Sequence, residues 1–433
     1  MSLDAALYQQ FDPRHPLEAD EEDLYVDWQQ ELGPENLKLG LARSIARTGA
    51  FPICRLFTGH RGAGKTTELK RVERMLEQGR FGRKLFVSFL EAERWMDLND
   101  VAPGDIVLHI ARQLIDDLKE AGFECAMTNL EQFFLEVRDI LKQDVTLKTV
   151  QAPGSLVELG AVLKDVPIAR SVLRGLFQGH LPTIYHLINE VILKQAREWL
   201  RKPAHGGFAD ILVIVDELDR IPQRVLKEQD LTNHENLFVG NARVLKFLNC
   251  DVLYTIPLAL AYSGCREQLK GEFSEILTLP LIPVRRHDGQ DFERGLATLR
   301  KIVELRCAKE GATLDQLFAA RELLGRLCRL SGGHVRNLFI LLRSAMDRCD
   351  HLPINRQAVE LTVRRQAIDI SLAIRPRDWE VLRQVHRDHR PVEEPAEVWN
   401  GLLRNLLVFP YEDADGLWYD WNPLVGEAPG GGS

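Results

Sequence analysis

From Ile53 onward the chain reads Ile53-Cys54-Arg55-Leu56-Phe57-Thr58-Gly59-His60-Arg61-Gly62-Ala63-Gly64-Lys65-Thr66-Thr67. A short apolar run ends in glycine, the pattern of a buried strand. Gly59 to Thr66 then fits G-x-x-x-x-G-K-[ST], a spacing that cradles phosphates. Glycines let the backbone curl so that successive N–H groups of Gly59, His60, Arg61, Gly62, Ala63 and Gly64 face one point. The next helix, with Leu69, Val72 and Leu76 at helical spacing, adds its positive N-terminal end beside Thr66 and Thr67. Lys65 is expected on the β/γ-phosphates, and the Thr66 hydroxyl on Mg²⁺. The ligand this implies is ATP-Mg²⁺.

A second site candidate lies downstream. Ile211-Leu212-Val213-Ile214-Val215 is apolar at every position, as a central parallel strand is, and runs directly into Asp216-Glu217. Carboxylates at the C-terminal end of such a strand sit on the edge where α/β sheets bind ligands. Asp216 is expected to hold the water shell of Mg²⁺, and Glu217 to polarise the attacking water. Lys84 to Leu90, Val252 to Ile256 and Ile276 to Leu281 read as further strands. Strands alternating with helices give an α/β fold with a parallel five-stranded sheet covered on both faces. Thr255, at the end of its strand, and Arg336, one turn into a helix after Ser331-Gly332-Gly333-His334-Val335, are candidates to touch the γ-phosphate. Arg220, Arg266, Arg285 and Arg286 are candidates for an arginine contributed to a neighbouring subunit.

Around these motifs the chain divides into an N-terminal extension (1–45), a core (46–288) with a helical insert at about 105–200, a helical lid (289–373), a helix–helix–hairpin segment that reads as a winged helix (374–425), and a tail (426–433). In the insert, Ile106/Ile110/Leu114/Leu118 forms one apolar stripe, while 156–163 is ambiguous between strand and helix. In the lid, 314–330 reads as one helix. Gly430-Gly431-Gly432-Ser433 reads as a linker outside the fold.

The totals narrow the function further. The 433 residues are 45% hydrophobic and 27% charged, an ordinary soluble composition with enough core to need no staple. No apolar run is long enough for a membrane span, and residues 1–20 lack the apolar centre of a signal peptide. Seven scattered cysteines without a C-x-x-C pair fit a reducing cytosol, so the expected location is cytoplasmic. A net charge of −8 weighs against a protein that coats nucleic acid.

Taken in order, GHRGAGKTTELKR, ILVIVDELDR, VLYTIPLAL and SGGHVRNL followed by a winged helix resemble AAA+ P-loop ATPases. The resemblance is to the branch shared by origin-recognition (ORC/Cdc6-like) and STAND signalling ATPases, bacterial stand-alone type, and covers about residues 20 to 425. It implies that Thr255 and Arg336 are the two γ-phosphate sensors and that Tyr25 and Val26 line the adenine pocket. It also implies a homo-oligomer working on a separate effector protein, with bacterial relatives in anti-phage defence. The alternative is a DNA-binding initiator or transposition regulator. Acidic residues around the winged helix (Glu393, Glu394, Glu412, Asp413, Asp415) oppose phosphate contact, so the protein-directed switch is favoured over nucleic acid. Gly271-Glu272-Phe273 stands where that branch carries its Ser-Arg-Phe-like finger.

Overall fold

The computed structural model describes residues 2–29, 36–49, 51–123, 164–165, 170–171, 174–175, 182–227, 231–392, 396–413 and 416–431. The ambiguous stretch 156–163 lies outside them. The strands are β1 (Cys54–Gly59), β2 (Leu85–Glu91), β3 (Asp210–Asp216), β4 (Val225–Leu226), β5 (Leu231–Thr232), β6 (Asp251–Thr255), β7 (Ile276–Leu279), β8 (Val408–Asp413) and β9 (Gly416–Trp421). The principal helices are α1 (Leu3–Gln10), α2 (Leu37–Ala46), α3 (Lys65–Glu77), α4 (Pro103–Glu120), α5 (Glu293–Lys309), α6 (Arg321–Leu330), α7 (Val335–Met346), α8 (Arg356–Ser371), α9 (Asp378–Asp388) and α10 (Ala396–Arg404).

Two compact units result. One contains Leu41–Thr58 and Val72–Leu277; the other contains Met1–Gly40, Gly59–Arg71 and Thr278–Ser433. This division cuts across the linear boundaries expected from sequence, because the phosphate loop, the N-terminal segment, the lid and the C-terminal hairpin fall in one unit.

The first unit carries the sheet, in the order β2-β3-β6-β1-β7, with β2–β3, β3–β6 and β6–β1 parallel. Ile211 to Val215 of β3 are buried on both faces, which is why they are apolar without alternation. Together they contribute about 10 kcal/mol of transfer free energy. The α4 stripe Ile106, Ile110, Leu114 and Leu118 packs into the same core. Its first turn is held by Asp105, whose carboxylate accepts from the Ala102 N–H at 2.9 Å. Arg55 of β1 is buried, with Asp251 3.8 Å away and Ser44 and Thr48 accepting from its guanidinium.

In the second unit Leu7 and Phe11 of the N-terminal segment join α5, α6, α7 and α8 in one core. The expected single helix over 314–330 is two pieces, Leu314–Leu317 and α6. They part because the Phe318 backbone pairs with Ile354 in a short bridge, and Ala319 N–H donates to the Ile354 carbonyl. The C-terminal segment is α9, α10 and the antiparallel β8–β9 hairpin, as its turn residues suggest. Gly430 and Gly431 are not a free linker: the Gly430 carbonyl accepts from Arg383, and Gly431 donates to Ala428.

Candidate functional site

Covalently, the phosphate loop continues from the carboxyl end of β1. Gly62 (φ +95°) and Gly64 (φ +102°) take the left-handed backbone that side chains resist. The Ala63 N–H closes a turn onto the His60 carbonyl, and the Glu68 N–H onto Gly64 begins α3. Lys65 is buried, and its ammonium donates to the carbonyls of Gly59 and His60 at 2.9 Å each. The cation is thus held at the loop by atoms that a stronger anionic partner outcompetes. Thr67 is engaged from the N-terminal segment, its hydroxyl accepting from the Leu17 N–H at 3.1 Å.

Arg336 reaches this loop, within the same unit. Ser331 to His334 form a tight turn before α7, with Gly332 and Gly333 at positive φ. A Cβ on Gly62 would stand 2.8 Å from Arg336 Cβ and Cδ and from His334 Cε1. Arg336 Nε donates to the Pro13 carbonyl at 2.9 Å. His334 is fully buried: its Nδ1 accepts from the Asn337 N–H at 3.1 Å, capping α7, and its Nε2 lies 2.9 Å from the Arg61 carbonyl. Burial is the main cause that pushes its pKa down to about 4, with the cations Arg336 and Lys65 adding to it, so the ring is neutral. His60 is held lower than usual for the same reason, burial first and His334 next.

Tyr25, expected beside adenine, is engaged by neighbouring side chains. Its hydroxyl donates to Glu68 at 3.0 Å and accepts from Lys38 at 2.8 Å, and the Arg71 guanidinium lies 3.5 Å over its ring. Lys38 also pairs with Asp27. These contacts tie the N-terminal segment to the first turns of α3. Val26 packs against the lid core. Burial raises the pKa of Glu68, opposed chiefly by Lys38.

The acidic pair belongs to the sheet unit. Asp216 ends β3, almost wholly buried, with Oδ1 accepting from the Glu217 N–H at 2.7 Å. Glu217 is at φ +71°, an uncommon conformation for a non-glycine residue that turns the chain sharply out of the strand. Its carboxylate accepts from the Glu93 N–H at 3.0 Å and pairs with Arg220 at 2.9 Å, and Arg220 also meets the Glu93 carboxylate. Thr255 is fully buried on β6; its hydroxyl accepts from the Leu218 N–H at 3.2 Å and donates to the Val215 carbonyl at 3.4 Å. That places it in the sheet as a brace for the turn that carries the acidic pair.

The sequence reading did not assign His334, Glu93 or Pro13 a role. For His334 no cap signal existed, since histidine is not among the residues that usually cap helices. Nothing local marks Pro13 or Glu93. Among the described residues no helix is long and apolar enough to cross a membrane, and no cluster of His, Cys, Asp or Glu forms a metal site by itself.

No protein-family model matches the sequence, and no curated protein does. Several solved structures are similar. An Orc1 protein from Aeropyrum pernix, solved in complex with DNA, is 14% identical with TM-score 0.37, covering 89% of this chain and 88% of its own. A RuvB variant from Thermotoga maritima is 14% identical with TM-score 0.35, covering 91% and 95%. Cdc6p from Pyrobaculum aerophilum is 11% identical with TM-score 0.39, covering 96% and 94%. At TM-scores below 0.5 these similarities carry no weight for function.

Proposed function

We propose that the protein binds ATP-Mg²⁺ and hydrolyses it, working as a nucleotide-dependent switch of the AAA+ kind on a partner protein. The observation that carries this is the loop itself: two left-handed glycines curl Gly59–Thr66 around the buried Lys65 ammonium. The donor types fit the ligand. Lys65 supplies a cation at the loop, and the Thr66 hydroxyl is an oxygen of the hard kind that Mg²⁺ takes.

Bound ATP-Mg²⁺ supplies the phosphoanhydride that water cleaves and the cation that offsets its charge. Lys65 would bind the β/γ-phosphates, the Thr66 hydroxyl would sit on Mg²⁺, and Asp216 would hold the metal's water. Glu217 would orient the attacking water and take its proton. Arg336, lying against Gly62, would read the γ-phosphate from the lid. The sensor role expected of Thr255 and the adenine contacts expected of Tyr25 and Val26 belong to the same proposal. The expected form is a cytoplasmic homo-oligomer.

A protein partner is favoured over DNA because Phe409, Tyr411 and Trp418 of the hairpin are buried beside Leu281 and Ala63. That leaves Glu412 and Asp413 at the tip of β8, where they would repel a phosphate backbone. The test is equilibrium binding of a fluorescent ATP analogue to the parent and to Lys65→Ala. Loss of binding in the variant is expected; parent-like affinity in Lys65→Ala overturns the assignment. Duplex DNA in the same assay at physiological salt should bind at best micromolar, and nanomolar binding would make the DNA-directed reading the better one.

A further inference from the structure

Nucleotide binding as proposed leaves the contact between His334 and the loop without a task, and any task it has in holding phosphate rests on that function. Nδ1 of His334 faces a backbone N–H, which can only donate, so Nδ1 carries no proton. The proton of the neutral ring is on Nε2, which therefore donates to the Arg61 carbonyl at 2.9 Å. Arg61's side chain is exposed, so this interaction holds the backbone. The Arg61–Gly62 peptide is planar and trans, which sets the Arg61 C=O and the Gly62 N–H on opposite sides. Holding the carbonyl toward His334 turns the Gly62 N–H away from it, to the opposite side of the peptide.

The ring has little freedom. One edge caps α7 and the other holds the loop. Its face lies against Phe409 of β8, with centroids 6.0 Å apart and planes within 10°, and His60 meets the same Phe409 edge-on at 5.3 Å. Phe409 is fully buried and occupies the space where Gly332 lacks a Cβ, while the Tyr411 hydroxyl donates to the Gly332 carbonyl at 2.8 Å. The C-terminal hairpin is thereby bound to the turn that carries His334.

We propose that His334 is a positioning residue for phosphate binding: it aims the Gly62 amide by gripping the Arg61 carbonyl, and Phe409 of the C-terminal hairpin keeps its ring in place. Any partner that displaces the hairpin would then weaken the hold on ATP.

Two variants separate this from a structural role. His334→Asn keeps an oxygen at the capping position but is too short to reach Arg61. His334→Gln loses the cap geometry but extends an N–H to the place of Nε2. For His334→Asn the thermal midpoint without nucleotide should stay near the parent's, while affinity for an ATP analogue falls about tenfold and that for AMP is unchanged. His334→Gln should show the reverse: a lowered midpoint with ATP affinity within about twofold of the parent. Phe409→Leu should weaken ATP in the same direction as His334→Asn. Parent-like ATP affinity in His334→Asn, or equal losses in both His334 variants, overturns the proposal. If the parent itself binds no ATP, the nucleotide reading fails. The grip is then still measured by amide exchange at Ala63, expected faster in His334→Asn and unchanged in His334→Gln.

Discussion

Gly62→Ala is the sharpest perturbation of the site. The added Cβ would lie 2.8 Å from two Arg336 carbons and from His334 Cε1, closer than carbon atoms pack. Two costs combine. Alanine at φ +95° stores about 1–3 kcal/mol of backbone strain. Forcing one methyl into packed surroundings adds about 1–3 kcal/mol, because Arg336 is tethered to Pro13 and His334 to Arg61 and Asn337. Gly64→Ala separates the two: Gly64 has φ +102° but nothing within 4 Å of its Cβ. It should cost the strain alone. Urea denaturation without nucleotide, followed by fluorescence, should therefore place Gly62→Ala about 1–3 kcal/mol below Gly64→Ala. Arg336→Ala should recover part of the gap in the Gly62→Ala background and nothing in the Gly64→Ala background. Equal stabilities for the two alanine variants would refute the packing of the lid turn on the loop.

Acid should destabilise the unit that carries His334. Its folded pKa of about 4 lies below the unfolded value near 6.5, so the unfolded chain takes up the proton first. The neutral ring's contribution is complete above pH 6.5 and is lost as pH falls toward 4. The loss between pH 6.5 and 5 is on the order of 2 kcal/mol, and the slope of urea midpoint against pH should flatten in His334→Gln. Glu217→Gln should retain ATP binding by calorimetry and lower single-turnover phosphate release about 100-fold or more; retained turnover would move the base elsewhere. Arg336→Ala should reduce turnover more than ATP affinity, and equal kinetics would return it to a packing role.

How far the chain could be read depends on how local each signal is. The phosphate loop and β3 were legible because their evidence is contiguous: glycine spacing in one case, five apolar residues before two acids in the other. The α4 stripe was legible by period. The break at Phe318 was not, since the helical pattern runs through it and only a pairing with Ile354 interrupts the backbone. The partners of Tyr25, namely Glu68, Lys38 and Arg71, were not legible, because tertiary packing sets them. The tail glycines looked like a linker because composition says nothing of Arg383, which reaches Gly430. Grouping of the N-terminal segment with the lid depends on Leu7 and Phe11 meeting helices far along the chain, which no window of sequence displays.

That His334 and Phe409 close around the Arg61 carbonyl has a consequence for synthesis. The loop leaves the ribosome roughly 350 residues before the hairpin that completes its surroundings, on the order of half a minute at ordinary elongation speed. For most of that interval the nascent chain has its Lys65 but not α7, and for all of it not β8, to shape the peptide beside Lys65. If the loop binds nucleotide as proposed, its capture would be postponed to the last moments of translation. A truncated product, released before Phe409 is made, would be left without a properly formed grip on ATP.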